Sequence, residues 1–165
     1  MNQIAMRASL WAAAALVIAA GTPAAQADIL AFGSYEGVIG VTAAEQPVPL
    51  RPNGSTTITF ETTEAKTLVA VTYNATCYVQ ADSIYGGQGN VRVRITIDGI
   101  EPNPHTTGTV ALCSADVPGT SIGANSRQAA MVVRGAGTHA VRVLAIREYA
   151  AYNGALYNSS ILIQD

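Results

Sequence analysis

Two cysteines have the clearest chemistry in this chain, because a thiol can form a disulfide, bind a metal or act as a nucleophile. Cys77 and Cys113 are the only cysteines among 165 residues. No C-x-x-C pair occurs, and neither His105 nor His139 stands beside a cysteine, so metal binding and thiol catalysis lack partner residues. In an oxidising compartment we therefore predict one disulfide between them.

The histidines offer little for nucleophilic catalysis. No G-x-S-x-G motif is present, and His105 lies in a proline-bracketed loop. His139 follows Gly137-Thr138 at the start of a predicted strand, where it would cap a turn or face water. A triad of a serine, His139 and Asp98 or Asp116 stays an open alternative that no motif marks. A secreted hydrolase is therefore the function that we favour least.

Acidic side chains are scattered, and several fall in predicted loops. Paired catalytic carboxylates would have to be held across a cleft, and nothing in the spacing indicates such a pair. Loop carboxylates can also bind calcium, but no D-x-D-x-D-G array occurs. The sequence predicts no cofactor and no metal site. The weak candidates for calcium are Asp82, Asp98, Glu101 and Asp116.

Tyrosines are the residues that most suggest binding. Three of them surround a predicted connection at Asn153-Gly154, and two flank the glycine-rich stretch 86–89. A tyrosine ring offers a flat apolar face and a hydroxyl, which suits sugar stacking or contact with a protein. Tyrosine is also common in strands, so a structural role stays open. The candidate contact residues are Tyr149, Tyr152, Tyr157, Tyr78 and Tyr85.

The N-terminal segment has the pattern of a secretory signal peptide. Arg7 gives a positive start, residues 10–20 form an apolar run, and Ala25-Gln26-Ala27 is a small-residue cleavage site. We therefore predict a signal peptide over residues 1–27 and a single exported domain over residues 28–165. Its expected location is periplasmic or extracellular.

The overall composition excludes several classes of partner. Nine lysines and arginines stand against eleven aspartates and glutamates, which gives a formal net charge of −2, and no basic run occurs. Nucleic acid and anionic membrane surfaces bind clustered positive charge, so neither is an expected partner. No second apolar stretch approaches the ~20 residues of a membrane span, so we expect no membrane insertion of the exported chain.

The elements that must position these residues follow a period of two, which is typical of strands. Residues 91–97 alternate apolar and polar side chains, and Asp98-Gly99 then gives a hairpin turn. Along residues 66–79, one face carries apolar side chains together with Cys77, which places that cysteine inward. Both segments predict half-buried antiparallel strands.

Weaker alternation predicts more strands along the rest of the chain. Residues 116–123 are predicted as a loop, and residues 148–152 as a single turn at most. About eight strands, with no core tryptophan, favour a jelly-roll-like sandwich of two antiparallel sheets over an immunoglobulin domain. The additional predicted strands cover residues 38–42, 56–61, 107–113, 126–134, 140–146 and 155–163.

Two of these motifs resemble segments of a known class of domain. The alternating strand that ends in Asp98-Gly99 and the later turn Gly137-Thr138-His139 are similar to secreted bacterial β-sandwich domains of uncharacterised function. One cysteine in each half fits the same pattern. The resemblance covers roughly two-thirds of the exported chain and implies a jelly-roll-like fold, of the kind found in trimeric complement-type heads and tail-fibre modules. It implies no catalytic residues.

These observations favour an exported, non-enzymatic β-sandwich module that binds a protein or glycan through its surface, or that has a structural role. Arg92, Arg94 and Arg142 would form ion pairs on an outward strand face or meet an acidic partner. The alternative is a self-assembling extracellular subunit, in which the uncharged strand 155–163 is an exposed edge that pairs with another copy. A homo-oligomer is therefore among the expected states.

The signal peptide predicts the N-terminus of the exported protein. Cleavage requires small side chains at Ala25 and Ala27, so we expect the exported chain to begin at Asp28 and Ala27→Arg to leave the precursor uncut. N-terminal sequencing and intact mass would measure both. Ala24→Ser, just outside the motif, is the matched control and should be processed normally. An exported protein that retains residues 1–27 would contradict the prediction.

Overall fold

The protein is described by a computed structural model over residues 27–82, 88–102, 111–116, 118–149 and 151–165, without the side chain of Tyr149. The predicted signal peptide therefore lies outside the described residues, apart from Ala27. The described residues contain strands and no helix, which confirms the all-β class. Their nine strands are β1 (Ile29–Gly40), β2 (Gln46–Pro47), β3 (Ile58–Thr62), β4 (Lys66–Ala81), β5 (Gly89–Ile97), β6 (Cys113–Ala115), β7 (Gly119–Arg134), β8 (Gly137–Tyr149) and β9 (Ala151–Gln164).

The strands pair in a nested order, in which strands from the start of the chain pair with strands from its end. β1 pairs with β9, β2 and β3 with β8, β4 with β7, and β5 with β6, all antiparallel. Two further antiparallel pairings, β4 with β9 and β5 with β8, assemble these hairpins into two sheets. Sheet A has the order β1-β9-β4-β7, and sheet B has the order β2-β8-β5-β6 with β3 also on β8. This nesting is that of a jelly roll, so the predicted two-sheet sandwich is confirmed.

The core lies between the two sheets and is built on strict alternation. In β4, every second side chain from Val69 to Val79 is at most 3% exposed, as the sequence pattern predicts. Alternate side chains of β5 and β8, among them Ile95 and Val143, fill the core from sheet B. Burial of each such aliphatic side chain stabilises the fold by about 1.5–3 kcal/mol. The predicted inward faces of β4 and β5 are therefore correct.

The predicted disulfide joins the two sheets. Cys77 lies on the inner face of β4, in its C-terminal half, and Cys113 begins β6 of sheet B; their Cα atoms are 5.9 Å apart. Both cysteines are buried among apolar side chains. Most of the predicted strand 107–113 lies outside the described residues, and β6 covers only its last position and the two residues after it. The disulfide is a covalent link between sheet A and sheet B.

The edge position predicted for the strand at residues 155–163 is wrong, and this matters for assembly. Residues 155–163 were expected to form an exposed edge, but β9 lies between β1 and β4 and pairs with both. Its backbone donors and acceptors are used within the sheet, so it cannot accept a strand from another copy. β9 also begins at Ala151, and Asn153-Gly154 lies inside the strand rather than in a connection. The free edges of sheet A are β1 and β7.

Three other segments are strands where the local pattern gave no such indication. Residues 119–123, predicted as loop, begin β7, because they pair in register with residues 77–81 of β4. Residues 148–152, predicted as a turn, belong to the end of β8 and the start of β9 as far as they are described. β1 begins at Ile29 rather than at Val38, because the C-terminal residues of β9 supply its partners. Long-range pairing decides all three cases.

Within the residues that the structure describes, no helix is long and apolar enough to cross a membrane. The two predicted turns next to strands are present. Asp98 and Gly99 have φ angles of 51° and 79°, and Gly135 and Gly137 have φ angles of 95° and 136°. Asp98 and Gly99 are the two central residues of the turn between Ile97 and Ile100, and positive φ at both is the geometry of a tight hairpin turn, which explains the D-G pair. Gly135 lies in the connection from β7 of sheet A to β8 of sheet B and Gly137 begins β8, and positive φ favours glycine at both.

We expect removal of the disulfide to lower the free energy of unfolding by about 4 kcal/mol, because the bond restricts an unfolded loop with a sequence separation of 36 residues. The variant is Cys77→Ala with Cys113→Ala, and denaturant-induced unfolding measures the change. Adding a reductant should destabilise the wild-type protein to a similar extent and leave the double variant unaffected. Equal stability of the oxidised wild-type protein and the double variant would contradict this prediction.

Candidate interaction surface

The outer face of sheet A is the face that points away from sheet B. Its side chains alternate with the buried ones, and the register aligns them in rows across the strands, for example Phe32, Leu162, Thr72 and Gln128. The side chains that the register assigns to this face are Ile29, Phe32, Ser34, Val38 and Gly40 of β1; Asn153, Ala155, Tyr157, Ser160, Leu162 and Gln164 of β9; Lys66, Leu68, Ala70, Thr72, Asn74, Thr76, Tyr78 and Gln80 of β4; and Thr120, Ile122, Ala124, Ser126, Gln128, Ala130, Val132 and Arg134 of β7.

Charge on the outer face of sheet A lies only at its rim. Lys66 and Arg134 pair at one end of the face, and Glu36 lies in a bulge of the edge strand β1. Between these positions, from Leu68 to Gln80 along β4, the register assigns no charged side chain to the face. The central part of the face is therefore uncharged.

Large apolar side chains are exposed on the same face. Val38 is 64% exposed, Leu68 is 62% exposed and Ile122 is 66% exposed. In the described part of the chain outside this face, Ile100 and Tyr152 are the exposed large hydrophobic residues. Exposed large apolar side chains that are grouped on one face are typical of a site that contacts another molecule. The other exposed large hydrophobic residues of the face are Ile29, Phe32 and Val132.

A row of small polar side chains divides the outer face of sheet A into two apolar halves. The row consists of Ser34, Ser160, Asn74 and Ser126, one from each strand. One half is centred on Phe32, and the other contains the two tyrosines of the face. The face thus has an apolar, a polar and a second apolar band along the strand direction.

The outer face of sheet B has the opposite character. Arg92 donates to both carboxylate oxygens of Glu148 at 2.8 Å, as a bidentate pair across β5 and β8. Arg94 donates to Glu45 at 2.5 Å. Arg142, the third arginine considered in the sequence, donates to the Thr57 hydroxyl at 3.2 Å. The arginines predicted to point outward therefore do so and are held mainly by acidic residues of this chain.

Two of the five candidate tyrosines lie on the outer face of sheet A. Tyr157 pairs with Thr76 and Tyr78 pairs with Ala155, so the two rings occupy neighbouring rows. The hydroxyl of Tyr78 donates to Gln80 Oε1 at 3.2 Å. Tyr152 is 63% exposed near the start of β9. Tyr85 and the side chain of Tyr149 lie outside the described residues.

The weak calcium candidates are not gathered into a metal site within the described ranges. No group of three or more His, Cys, Asp or Glu side chains there is placed to hold a metal ion. Asp98 is committed to His139, and Asp116 accepts a hydrogen bond from the Gln88 side chain at 3.4 Å. Asp82 lies just after β4 and Glu101 just after the bridge at Ile100.

His139 is a buried titratable group that connects three segments. Its Nδ1 lies 2.7 Å from Asp98 Oδ2, and its Nε2 lies 3.1 Å from the Thr62 hydroxyl and 3.2 Å from the Gly135 carbonyl oxygen. Its ring also packs against Phe60, with the ring centroids 5.4 Å apart. His139 therefore holds a turn, one of its two predicted roles, and does not face water.

The hydroxyl, imidazole and carboxylate of Thr62, His139 and Asp98 have the order of a catalytic triad, but the hydrogen bonds favour a structural role. A carbonyl oxygen can only accept, so the Gly135 contact requires a proton on Nε2, where a general base needs a lone pair. The Thr62 hydroxyl donates to the same carbonyl at 3.0 Å and can accept from Nε2. This arrangement suits a protonated imidazole with both N–H groups bonded.

The electrostatics of this cluster follow from its contacts. The hydrogen bond to Asp98 raises the pKa of His139; desolvation opposes this, and the Gly135 carbonyl and the charges of Asp98 and Glu61 add to the rise. Partial desolvation would raise the pKa of Asp98, but the hydrogen bonds from His139 and the Ala140 amide, with the charge of His139, lower it overall. The folded state thus favours the charged pair.

No protein-family model matches this chain, and no curated protein matches it. The function of the protein is therefore inferred from the geometry of its surface and not from its fold alone.

We expect the pair of His139 and Asp98 to make stability depend on pH. The raised pKa of His139 gives a contribution that is fully present below its ordinary value of 6.5 and is lost as the pH rises through the folded-state pKa. The lowered pKa of Asp98 gives a second contribution to stability. This contribution is present above the ordinary Asp pKa of 3.8 and is lost as the pH falls through the folded-state pKa of Asp98. The combined contribution is therefore largest between these two values.

Because the Asp98 side chain is 43% exposed, solvent screening limits this contribution to about 1 kcal/mol. Urea unfolding at about pH 5 and about pH 9 measures this contribution. From the lower to the higher pH, the free energy of unfolding should fall by this amount in the wild-type protein and should not fall in His139→Gln. Glu148→Gln, which breaks a pair that lacks histidine, is the control and should keep the wild-type difference between the two pH values. The same pH difference in His139→Gln would refute the assignment.

Proposed function

We propose that this chain is an exported, non-enzymatic β-sandwich module that acts by binding another protein through the outer face of sheet A. The observation that carries the proposal is the combination of exposed large apolar side chains and an uncharged centre on that face. Large apolar side chains that are exposed together on one face, with charge only at the rim, mark a surface that is covered in the working state.

Export is supported by two independent features. The N-terminal segment has the pattern of a cleaved signal peptide, and Cys77 and Cys113 form a disulfide, which persists in oxidising compartments. The inter-sheet position of that disulfide makes its formation part of folding. We therefore place the working protein in the periplasm or outside the cell.

A binding role rather than catalysis is supported by the hydrogen bonds of His139, the histidine that lies within the described residues. Both ring nitrogens of His139 face hydrogen-bond acceptors, and its Nε2 lone pair is not directed at a nucleophile. The Thr62 hydroxyl is buried and bonded to Gly135. Residues in this state position the turns at one end of the sandwich.

A protein partner fits the outer face of sheet A better than a glycan does. Sugar-binding surfaces depend on aromatic rings for stacking, whereas most of the exposed large side chains here are aliphatic, as in Val38, Leu68 and Ile122. One of the two tyrosines of the face, Tyr78, has its hydroxyl tied to Gln80. Aliphatic side chains beside tyrosines are typical of the buried centre of protein interfaces.

Photo-cross-linking in the cell that exports the chain tests this function. A benzoylphenylalanine replaces Val38 or Ile122 on the outer face of sheet A, and Ile100, which is 60% exposed but off this face, is the matched control. We expect light-dependent protein adducts at Val38 and Ile122 and none at Ile100, because only the face is covered. Electrophoresis detects the adducts and mass spectrometry identifies the attached protein.

Two outcomes would overturn the proposed function. Adducts of equal yield at all three positions would show non-specific contact, and no protein adduct at Val38 or Ile122 would show an uncovered face. Retention of the wild-type protein on a neutral polysaccharide, lost in Tyr157→Ala, would replace the protein partner by a glycan.

A further inference from the structure

We propose that the partner on the outer face of sheet A is a second copy of this chain, so that the face is the interface of a homo-oligomer. This inference rests on the proposed function and names the partner of the same face. It replaces assembly through the strand 155–163, because β9 is paired on both sides.

The charge distribution is the first argument for a second copy. In a two-fold interface a side chain near the axis meets its own copy, and like charges placed opposite each other are destabilising. The central part of the outer face of sheet A carries no charge, whereas the outer face of sheet B carries Arg92 and Arg94 with their acidic partners, and Arg142. Of the two sheet faces, sheet A is therefore the one suited to meet itself.

The banding of the face is the second argument. The polar row of Ser34, Ser160, Asn74 and Ser126 runs across the middle, with an apolar half on either side. A two-fold axis parallel to this row, or one parallel to the strands, places polar row on polar row and apolar half on apolar half. Hydroxyl and amide side chains both donate and accept, so a row of them can bond to its own copy.

The area of the face is the third argument. Four strands about 4.8 Å apart, each rising about 3.3 Å per residue, cover about 750 Å² over the length of β1, which has 12 residues. A stable protein interface buries about 800 Å² on each partner. Two faces packed together would therefore bury the area of a standard-size interface, with the sheets about 10 Å apart as in the sandwich itself.

Light scattering on the oxidised exported chain, residues 28–165, tests the proposal. We expect the wild-type mass to be a fixed multiple of the single-chain mass, and Val38→Lys or Ile122→Lys to reduce it to the single-chain mass at the same concentration. Ile100→Lys is the matched control, since it adds the same charge at an equally exposed apolar position off the face. It should leave the mass unchanged.

A mixing experiment separates loss of the interface from loss of the fold. Ile122→Lys and Val38→Glu should each be monomeric with the wild-type circular dichroism spectrum, and an equimolar mixture should recover at least half of the wild-type association. A two-fold axis parallel to the strands places β7 of one copy opposite β1 of the other, so the opposite charges lie near each other only if the copies meet through this face. Recovery would show that both variants are folded.

Two results would overturn the proposal. One is a wild-type protein that stays monomeric at all concentrations, and the other is an oligomer that persists in both lysine variants. These results bear on the proposed function differently. A monomer that still gives adducts with another protein at Val38 and Ile122 keeps the proposed function and excludes the second copy, whereas a monomer without adducts excludes both.

Discussion

The alternation of side chains along β4 is the constraint on which both sides of sheet A depend. Its inward side chains, from Val69 to Val79, fill the core and include the cysteine that links the sheets. Its outward side chains form the middle of the outer face of sheet A. A slip of one residue in the pairing with β7 or β9 would exchange these two sets. The disulfide prevents such a slip by fixing Cys77 opposite sheet B.

The sequence was informative where a strand carries its own pattern. Residues 66–79 of β4 and 91–97 of β5 alternate in sequence, and their inward faces, the disulfide and the Asp98-Gly99 turn follow from that pattern and from residue type. The first part of β7 and residues 29–37 of β1 carry no such pattern. β7 begins with small and polar side chains on both faces, and β1 has large apolar side chains on both, such as Leu30 against the core and Phe32 outward. They become strands by pairing with β4 and β9, which local reasoning does not include.

The outer face of sheet A could not be predicted for the same reason. Its rows join residues from opposite ends of the chain, such as Phe32 with Leu162, and only the topology makes them neighbours. The cluster around His139 is similar, since Asp98 and Thr62 are distant in sequence from the histidine. Tyr78 and Tyr157 were predicted as contact residues from their type and their place next to predicted loops, whereas the register of the strands places them on this face.

The nested pairing of the strands has a consequence for how the chain folds. β1 pairs with β9, and two hydrogen bonds join Asp28 and Asp165. The first strand of the domain can therefore pair only when the last strand is present. Closing so long a loop costs entropy before any contact is gained, which makes such folds slow. With the export proposed above, the chain would cross the membrane unfolded, and sheet A would close only after its C-terminal strand had emerged.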